Sequence, residues 1–131
     1  VGTVIFLLDT HVLIWWLVSD RRLSRTAQDL VRDPGHRIFV SSASAWEIAT
    51  KHRLGKLTGV DALAADVTGW IMRAGFEELP ITIAHAQRAG AFPQAHRDPF
   101  DRVLAAQSER ENAPLVTRDR AFKAFGTRVV W

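Results

Sequence analysis

The chain contains no cysteine. Disulfides and thiolate zinc sites are therefore excluded, a reducing compartment is compatible, and any metal must be held by oxygen or histidine. Lysine is scarce as well: three lysines stand against 14 arginines, and none lies between Lys56 and Lys123. The five histidines show no HExxH spacing, which removes the familiar helical zinc pair. No internal repeat, linker or low-complexity tract interrupts the sequence. Nor is there an unbroken long apolar run, because Asp9 and His11 divide the stretch from Val4 to Val18. An aspartate at a bilayer centre costs about 2.5–3.5 kcal/mol, and no basic residue precedes the run, so a signal peptide or membrane anchor is not expected. A cytoplasmic protein is the simpler expectation.

What is present fits one ordinary folded unit. The 131 residues match the usual size of a single domain, here 1–131, and leave no room for a second substantial core. Hydrophobic residues make up 47% and charged residues 24%, far from compositions that stay disordered. The formal charge is +3 and the pI about 10.2. Arginine favours phosphate partners, although this bias is modest and a GC-rich genome also produces it.

TVIFLL reads as a short strand buried on both faces, ending at Asp9-Thr10, with a helix over Val12 to Val18. Ser24 caps a predicted helix through Ala27, Leu30 and Val31, halted by Asp33-Pro34-Gly35; Arg37 to Val40 is the second strand. Ser42 or Ser44 opens a helix through Trp46 and Ile48 to Leu54-Gly55. Ala62 to Ala74 predicts one further helix, with Leu63, Val67, Trp70 and Ile71 at helical spacing and Gly75 closing it. Phe76 to Leu79 is a third strand, Ile83 to Ala89 a helix, and Asp98-Pro99 starts a helix reaching Glu111 with Phe100, Val103, Leu104 and Gln107 on one face. Pro114 to Thr117 is a strand, Ala121 to Phe125 a short helix, and Arg128 to Trp131 a final strand. Strands alternating with helices indicate a parallel sheet covered on both faces.

Carboxylates fall where these elements begin or end: Asp9 after the first strand, Glu47, Asp98, Asp101, and Asp119 after PLVT. An acid at a strand's carboxyl end points into the crevice where open α/β sheets bind ligands. Each also has a structural explanation. Asp9 and Asp119 could cap the helices that follow them, and Asp98 could cap the helix that Pro99 opens. Asp101 suits a helix dipole. Ser44-Ala-Trp-Glu47 matches a capping box, and Lys51 lies four residues on for a surface pair. The conjunction carries the functional reading, and it requires that the strands ending near Thr10 and Thr117 be neighbours.

Two carboxylates about 4 Å apart repel by roughly 4 kcal/mol at an effective dielectric near 20, so a converging set needs a cation. Hard oxygen donors without cysteine point to Mg²⁺ or Mn²⁺, and such a site suits phosphodiester hydrolysis. Arg97, Arg102, Arg118 and Arg120 flank the acids and are candidates for phosphate contact.

At LLDTHVLIWW, SSASAWEIATKHRLGKL, HRDPFDRVLAAQ and LVTRDRAFKAFGTRVVW the chain resembles the PIN-domain ribonucleases, and within them the VapC toxins of bacterial toxin–antitoxin pairs. The resemblance covers nearly the whole chain; one departure is Val1 in place of methionine. It implies an α/β/α sandwich around a mainly parallel sheet of four to five short strands. It also implies an endoribonuclease whose ions are held by Asp9, Glu47, Asp101 and Asp119, with Asp98 as an additional acid and Thr10 and Thr117 as hydrogen-bonding supports. A homodimer and a VapB-like antitoxin, its tail lying over the acidic crevice, are implied partners. Trp15, Trp16 and Trp46 are candidates for an apolar groove holding that tail, with core packing expected of at least one. His11 and His96 are expected beside the ligands or at the surface.

Two other classes remain open at this point. A phosphatase of the haloacid dehalogenase type also begins with an aspartate after its first strand. Its second acid, however, lies two residues on, where this chain has His11, and its lysine between the middle and final acids is missing. A non-enzymatic RNA- or protein-binding module would use the acids only as helix caps.

Overall fold

A computed structural model of the chain describes residues 4–131. Val1 and Thr3, the latter the first residue of the predicted TVIFLL strand, lie outside them. Five strands form one sheet: β1 Val4–Leu8, β2 His36–Ser41, β3 Glu77–Leu79, β4 Leu115–Val116 and β5 Val129–Val130. Their order is β3-β2-β1-β4-β5 and every pairing is parallel. Leu8 is in register with Val40 on one side and with Val116 on the other. The chain thus builds outward from β1 to β2 and β3, then returns to add β4 and β5 beyond β1's opposite edge. That reversal puts a topological switch point between β1 and β4, where the carboxyl ends of both strands open a crevice.

Alternation along β1 divides the core into two layers. Phe6 and Leu8 join Val12, Leu13, Trp15, Ile48 and Ile71 on one face, while Leu7 joins Phe92, Leu104, Leu115 and Phe122 on the other. The first layer is supplied by α1 Thr10–Leu17, α2 Arg25–Arg32, α3 Ser42–Arg53, α4 Asp61–Ala65 and α5 Val67–Ala74; the second by α6 Ile83–Ala91, α7 Pro99–Glu111 and a 3₁₀ turn over Arg120–Phe125. Burial on both faces explains why β1 reads as a continuous apolar run. No helix among the described residues is long and apolar enough to cross a membrane.

The expected α/β/α sandwich is therefore observed, with five strands and all of them parallel. The single helix expected over Ala62 to Ala74 is instead two, α4 and α5. Asp66 interrupts it, its carboxylate accepting from Gly69 N at 3.0 Å and capping α5, a preference stronger than the helical spacing around it. The first helix begins at Thr10, earlier than Val12, because Asp9 caps it directly. Helix α3 is capped by Ser41, whose hydroxyl accepts from Ala43 N at 2.9 Å. The predicted Ser44–Glu47 capping box does not form, and both residues lie inside the helix on its buried face.

Candidate active site

The sequence places an aspartate directly after β1, and its carboxylate is held at two points. Asp9 Oδ1 accepts from Thr10 N at 2.7 Å, capping α1, and Oδ2 accepts from the Thr117 hydroxyl at 2.7 Å. Thr117 stands just past β4, so this second bond spans the switch point between residues 108 apart in the chain. The same hydroxyl accepts from Asp119 N at 3.0 Å, and Asp119 Oδ1 accepts from Ala121 N at 2.9 Å to cap the 3₁₀ turn. Asp9 and Asp119 thereby line one cleft of about 420 Å³, together with His11, Val12, Trp15, Arg22 and Arg118. The Thr10 hydroxyl donates to Ser44 Oγ at 2.9 Å, tying α1 to α3 one turn before Glu47.

Glu47 and the α7 acids approach from the neighbouring wall. Glu47 is 3% exposed, and the Lys51 ammonium donates to its Oε2. Asp98 caps α7 through Phe100 N at 2.9 Å and Asp101 N at 3.2 Å. Asp101 Oδ2 accepts from His96 Nε2 at 2.9 Å. Helices α3 and α7 are keyed together there by the edge of Trp46 against Phe100, ring centres 4.7 Å apart.

The electrostatics reveal the convergence. Burial pushes the Asp9 carboxyl above the ordinary aspartate range; the Thr117 hydrogen bond and His11 oppose the rise, and the Glu47 charge adds to it. Asp101 is pushed up to about 6, chiefly by burial, with the His96 hydrogen bond opposing and the Asp98 and Asp9 charges reinforcing. Asp9 therefore lies in the field of Glu47, Asp101 lies in the fields of Asp98 and Asp9, and Asp119 shares the Asp9 cleft. The sequence-predicted acids are brought to one end of the sheet.

As placed, no three Asp, Glu or His side chains among the described residues converge closely enough to hold an ion unaided. This donor set still fits magnesium or manganese, which binds through one or two carboxylates and completes its shell with water and substrate phosphate. Buried, mutually repelling oxygen donors, with no thiolate in the chain, are the chemistry such an ion needs.

Of the predicted phosphate-contacting arginines, Arg97, Arg118 and Arg120 are exposed. Arg118 stacks over Trp15 with its guanidinium carbon 4.7 Å from the ring centre. Arg102 is placed differently from the expectation. Its guanidinium donates to the carbonyls of Ala89, Phe92, Gln94 and His96 at 2.6–2.8 Å, bracing the loop that delivers His96 to Asp101. Trp15 and Trp16 pack in the core layer, whereas Trp46 is exposed.

Two residues gained importance only from the structure. Arg22 reaches the Asp9 cleft, stacked on Trp15 at 5.0 Å and paired with Asp20 at 2.7 Å. Its signal in the sequence is limited to that local Asp-Arg pairing. Lys51 reads as an ordinary surface partner at helical spacing, yet its carboxylate partner is buried.

An all-parallel α/β/α sheet with carboxylates gathered at its switch point defines the class. The chain belongs to the PIN domain family, whose sequence pattern matches residues 6–127. It is 29% identical over 121 residues to Ribonuclease VapC22 of Mycobacterium tuberculosis, covering 90% of this chain and 89% of that protein. It is 39% identical over 66 residues to Ribonuclease VapC16 of the same organism, covering 49% of this chain and 47% of that protein. The structure of VapBC2 from Rickettsia felis bound to a DNA fragment from their promoter has a similar fold, with a TM-score of 0.68 at 16% identity covering 96% of this chain and 97% of that one. FitAcB from Neisseria gonorrhoeae gives a TM-score of 0.66 at 19% identity, covering 96% of each chain.

Proposed function

We propose that this chain is a divalent-metal-dependent endoribonuclease acting as the toxin of a type II toxin–antitoxin pair. The observation that carries the reading is the buried Asp9 carboxylate, fixed by Thr117 across the switch point and facing Asp119 in an open cleft. A buried acid that serves only as a cap needs no neighbouring acids, and here the Glu47 charge acts on Asp9 and the Asp9 charge acts on Asp101. The ribonuclease names of its relatives and the toxin–antitoxin complexes among its structural neighbours point the same way.

In this reading Asp9, Glu47, Asp101 and Asp119 hold Mg²⁺ or Mn²⁺, with Asp98 nearby. When bound there, such an ion would make a water more acidic and would polarise the scissile phosphate. Thr117 keeps the Asp9 oxygens aimed at the cleft, and Thr10 and Ser44 fix the relative positions of α1 and α3. Arg118, Arg120 and Arg97 meet RNA phosphates, joined by Arg22 at the cleft wall; the salt dependence of binding measures their share. The partners are an RNA substrate, a VapB-like antitoxin covering the crevice, and a second copy of the chain, in the cytoplasm.

The test is to incubate purified wild type and Asp9→Asn with total RNA in Mg²⁺ or in EDTA and to map the new RNA ends. Discrete cleavage by the wild type in Mg²⁺ alone is expected. Equal cleavage by Asp9→Asn, or cleavage that persists in EDTA, would refute the reading. No cleavage by the wild type, with saturable RNA binding, would favour the binding module.

A further inference from the structure

Trp15 lines the acidic cleft and also a second cavity of about 320 Å³, so the two hollows adjoin across one indole. Its ring is 6% exposed and carries the Arg118 and Arg22 guanidiniums at 4.7 and 5.0 Å. It is therefore a partition and not a platform for a ligand. The second cavity is completed chiefly by Trp16, Leu23, Gln28, Arg21 and Arg32.

The two hollows differ in charge. The first holds Asp9 and Asp119. The second has one carboxylate, Asp20, and Arg22 already occupies it, Nε donating to Oδ1 at 3.0 Å and Nη2 to Oδ2 at 2.7 Å. Arg21 and Arg32 are exposed and form no ion pair among the described residues. Arg32 lies 5.7 Å from the ring centre of Trp16, near the outer limit of such contacts, and Trp16 is only partly buried. The Gln28 amide nitrogen donates to Leu23 O at 3.0 Å, which leaves its carbonyl oxygen to accept.

A strand with one phosphate at the carboxylates must carry its next nucleotides out over a wall of the cleft. The α3–α7 wall brings Glu47, Asp98 and Asp101, whose charges oppose a phosphate. The Trp15 wall brings guanidiniums, and beyond it lie an aromatic face, free cations and an amide. Those are the groups that hold unpaired bases and their backbone. The volume is at the small end of ligand pockets, which suits one nucleotide.

We infer that this second cavity is a subsite for one unpaired nucleotide next to the scissile phosphate, its base against Trp16 and its phosphate met by Arg32 and Arg21. This rests on the ribonuclease reading above and adds to it the side on which the strand leaves and a requirement for single-stranded RNA.

The test measures fluorescence anisotropy of a labelled single-stranded RNA 12-mer of mixed sequence, and of the same strand paired with its complement, in EDTA across a salt series. Wild type is compared with Arg32→Gln, Trp16→Leu and Arg110→Gln, the last removing an equal charge from the exposed far end of α7. Circular dichroism establishes that each is folded. Wild type should prefer the single strand. Arg32→Gln should weaken its binding and flatten the slope of log affinity against log salt by about 0.7, the share of one single-strand phosphate. Trp16→Leu should weaken the single strand about tenfold and the duplex little. Unchanged single-strand binding in Arg32→Gln would overturn the inference even if Trp16→Leu failed to fold. An equal loss in Arg110→Gln would also overturn it, by showing a diffuse charge effect. RNA binding with the expected variant pattern but no cleavage in Mg²⁺ would remove the nuclease reading and leave the subsite standing. Cleavage in Mg²⁺ with variants that bind like wild type would do the reverse.

Discussion

Two buried polar clusters sit in this fold, and they are satisfied in opposite ways. Behind the sheet, His85 is 1% exposed between α6 and α7, and each ring nitrogen has a partner: Nδ1 accepts from Thr82 N at 3.0 Å and Nε2 donates to Glu111 Oε2 at 3.0 Å. The Thr82 hydroxyl in turn accepts from His85 N at 3.1 Å, completing a reciprocal cap. The histidine is thus paired on both sides of its ring there. At the crevice, Asp9 is similarly buried and hydrogen-bonded, yet its proton affinity is raised, chiefly by burial, with the charge of neighbouring Glu47 adding to the rise. Burial alone therefore does not mark a site; a buried acid set beside other acids at an open cleft does.

The largest effect expected from breaking this contrast is at Asp9. Asparagine is as good a helix cap as aspartate and has almost the same shape, so Asp9→Asn should fold. RNA cleavage should fall to background while the metal-free protein melts at a higher temperature, because a buried repelling charge has gone. A lower melting temperature than wild type, read by circular dichroism, would count against the repulsion. Next comes Thr117→Val, which frees the Asp9 carboxylate to rotate. Loss of such a supporting hydrogen bond should weaken Mg²⁺ affinity by about 10–100-fold, measured by calorimetry.

On the other side of the comparison, His85→Ala should leave cleavage per folded molecule unchanged. It should cost about 2–3 kcal/mol of stability in a urea titration, through the lost cap and the buried groups left unpaired. A large loss of activity at full folding would mean that the two clusters are coupled.

The smallest effect separates the clusters by pH. The folded-state pKa of Asp101 is raised from 3.8 to about 6, so between those values the native protein holds a proton that the unfolded chain has released. Stability from this group is complete below about pH 4 and is lost as pH rises through about 6. Metal-free wild type should therefore lose several degrees in melting temperature across that window, and Asp101→Asn should flatten the profile. Saturating Mg²⁺ should reverse the loss at the upper end. A flat wild-type profile without metal would show that Asp101 is not held in a repelling field.

How much of this was legible in the sequence follows from how local each signal is. Asp9 and Asp119 could be read because a strand's last residue and its crevice are linked by chain direction alone. The Asp98-Pro99 start of α7 was equally local, since cap and ring geometry act within a few residues. Glu47 could not be distinguished from a surface acid, because its burial depends on α7 packing against α3 from more than 50 residues away. Lys51 inherited the same ambiguity. Arg102 looked like a phosphate contact, and only the folded course of residues 89–96 shows that its guanidinium is taken up by carbonyls. The break at Asp66 was hidden because a side-chain cap competes with a continuous helical pattern on nearly equal terms.

Magnesium titrated into the metal-free wild type and into Asp9→Asn, followed by calorimetry at neutral pH, tests the central claim most directly. Saturable binding to the wild type that disappears in a folded Asp9→Asn protein is the expected result. Undiminished binding to Asp9→Asn, or none to the wild type, would contradict it.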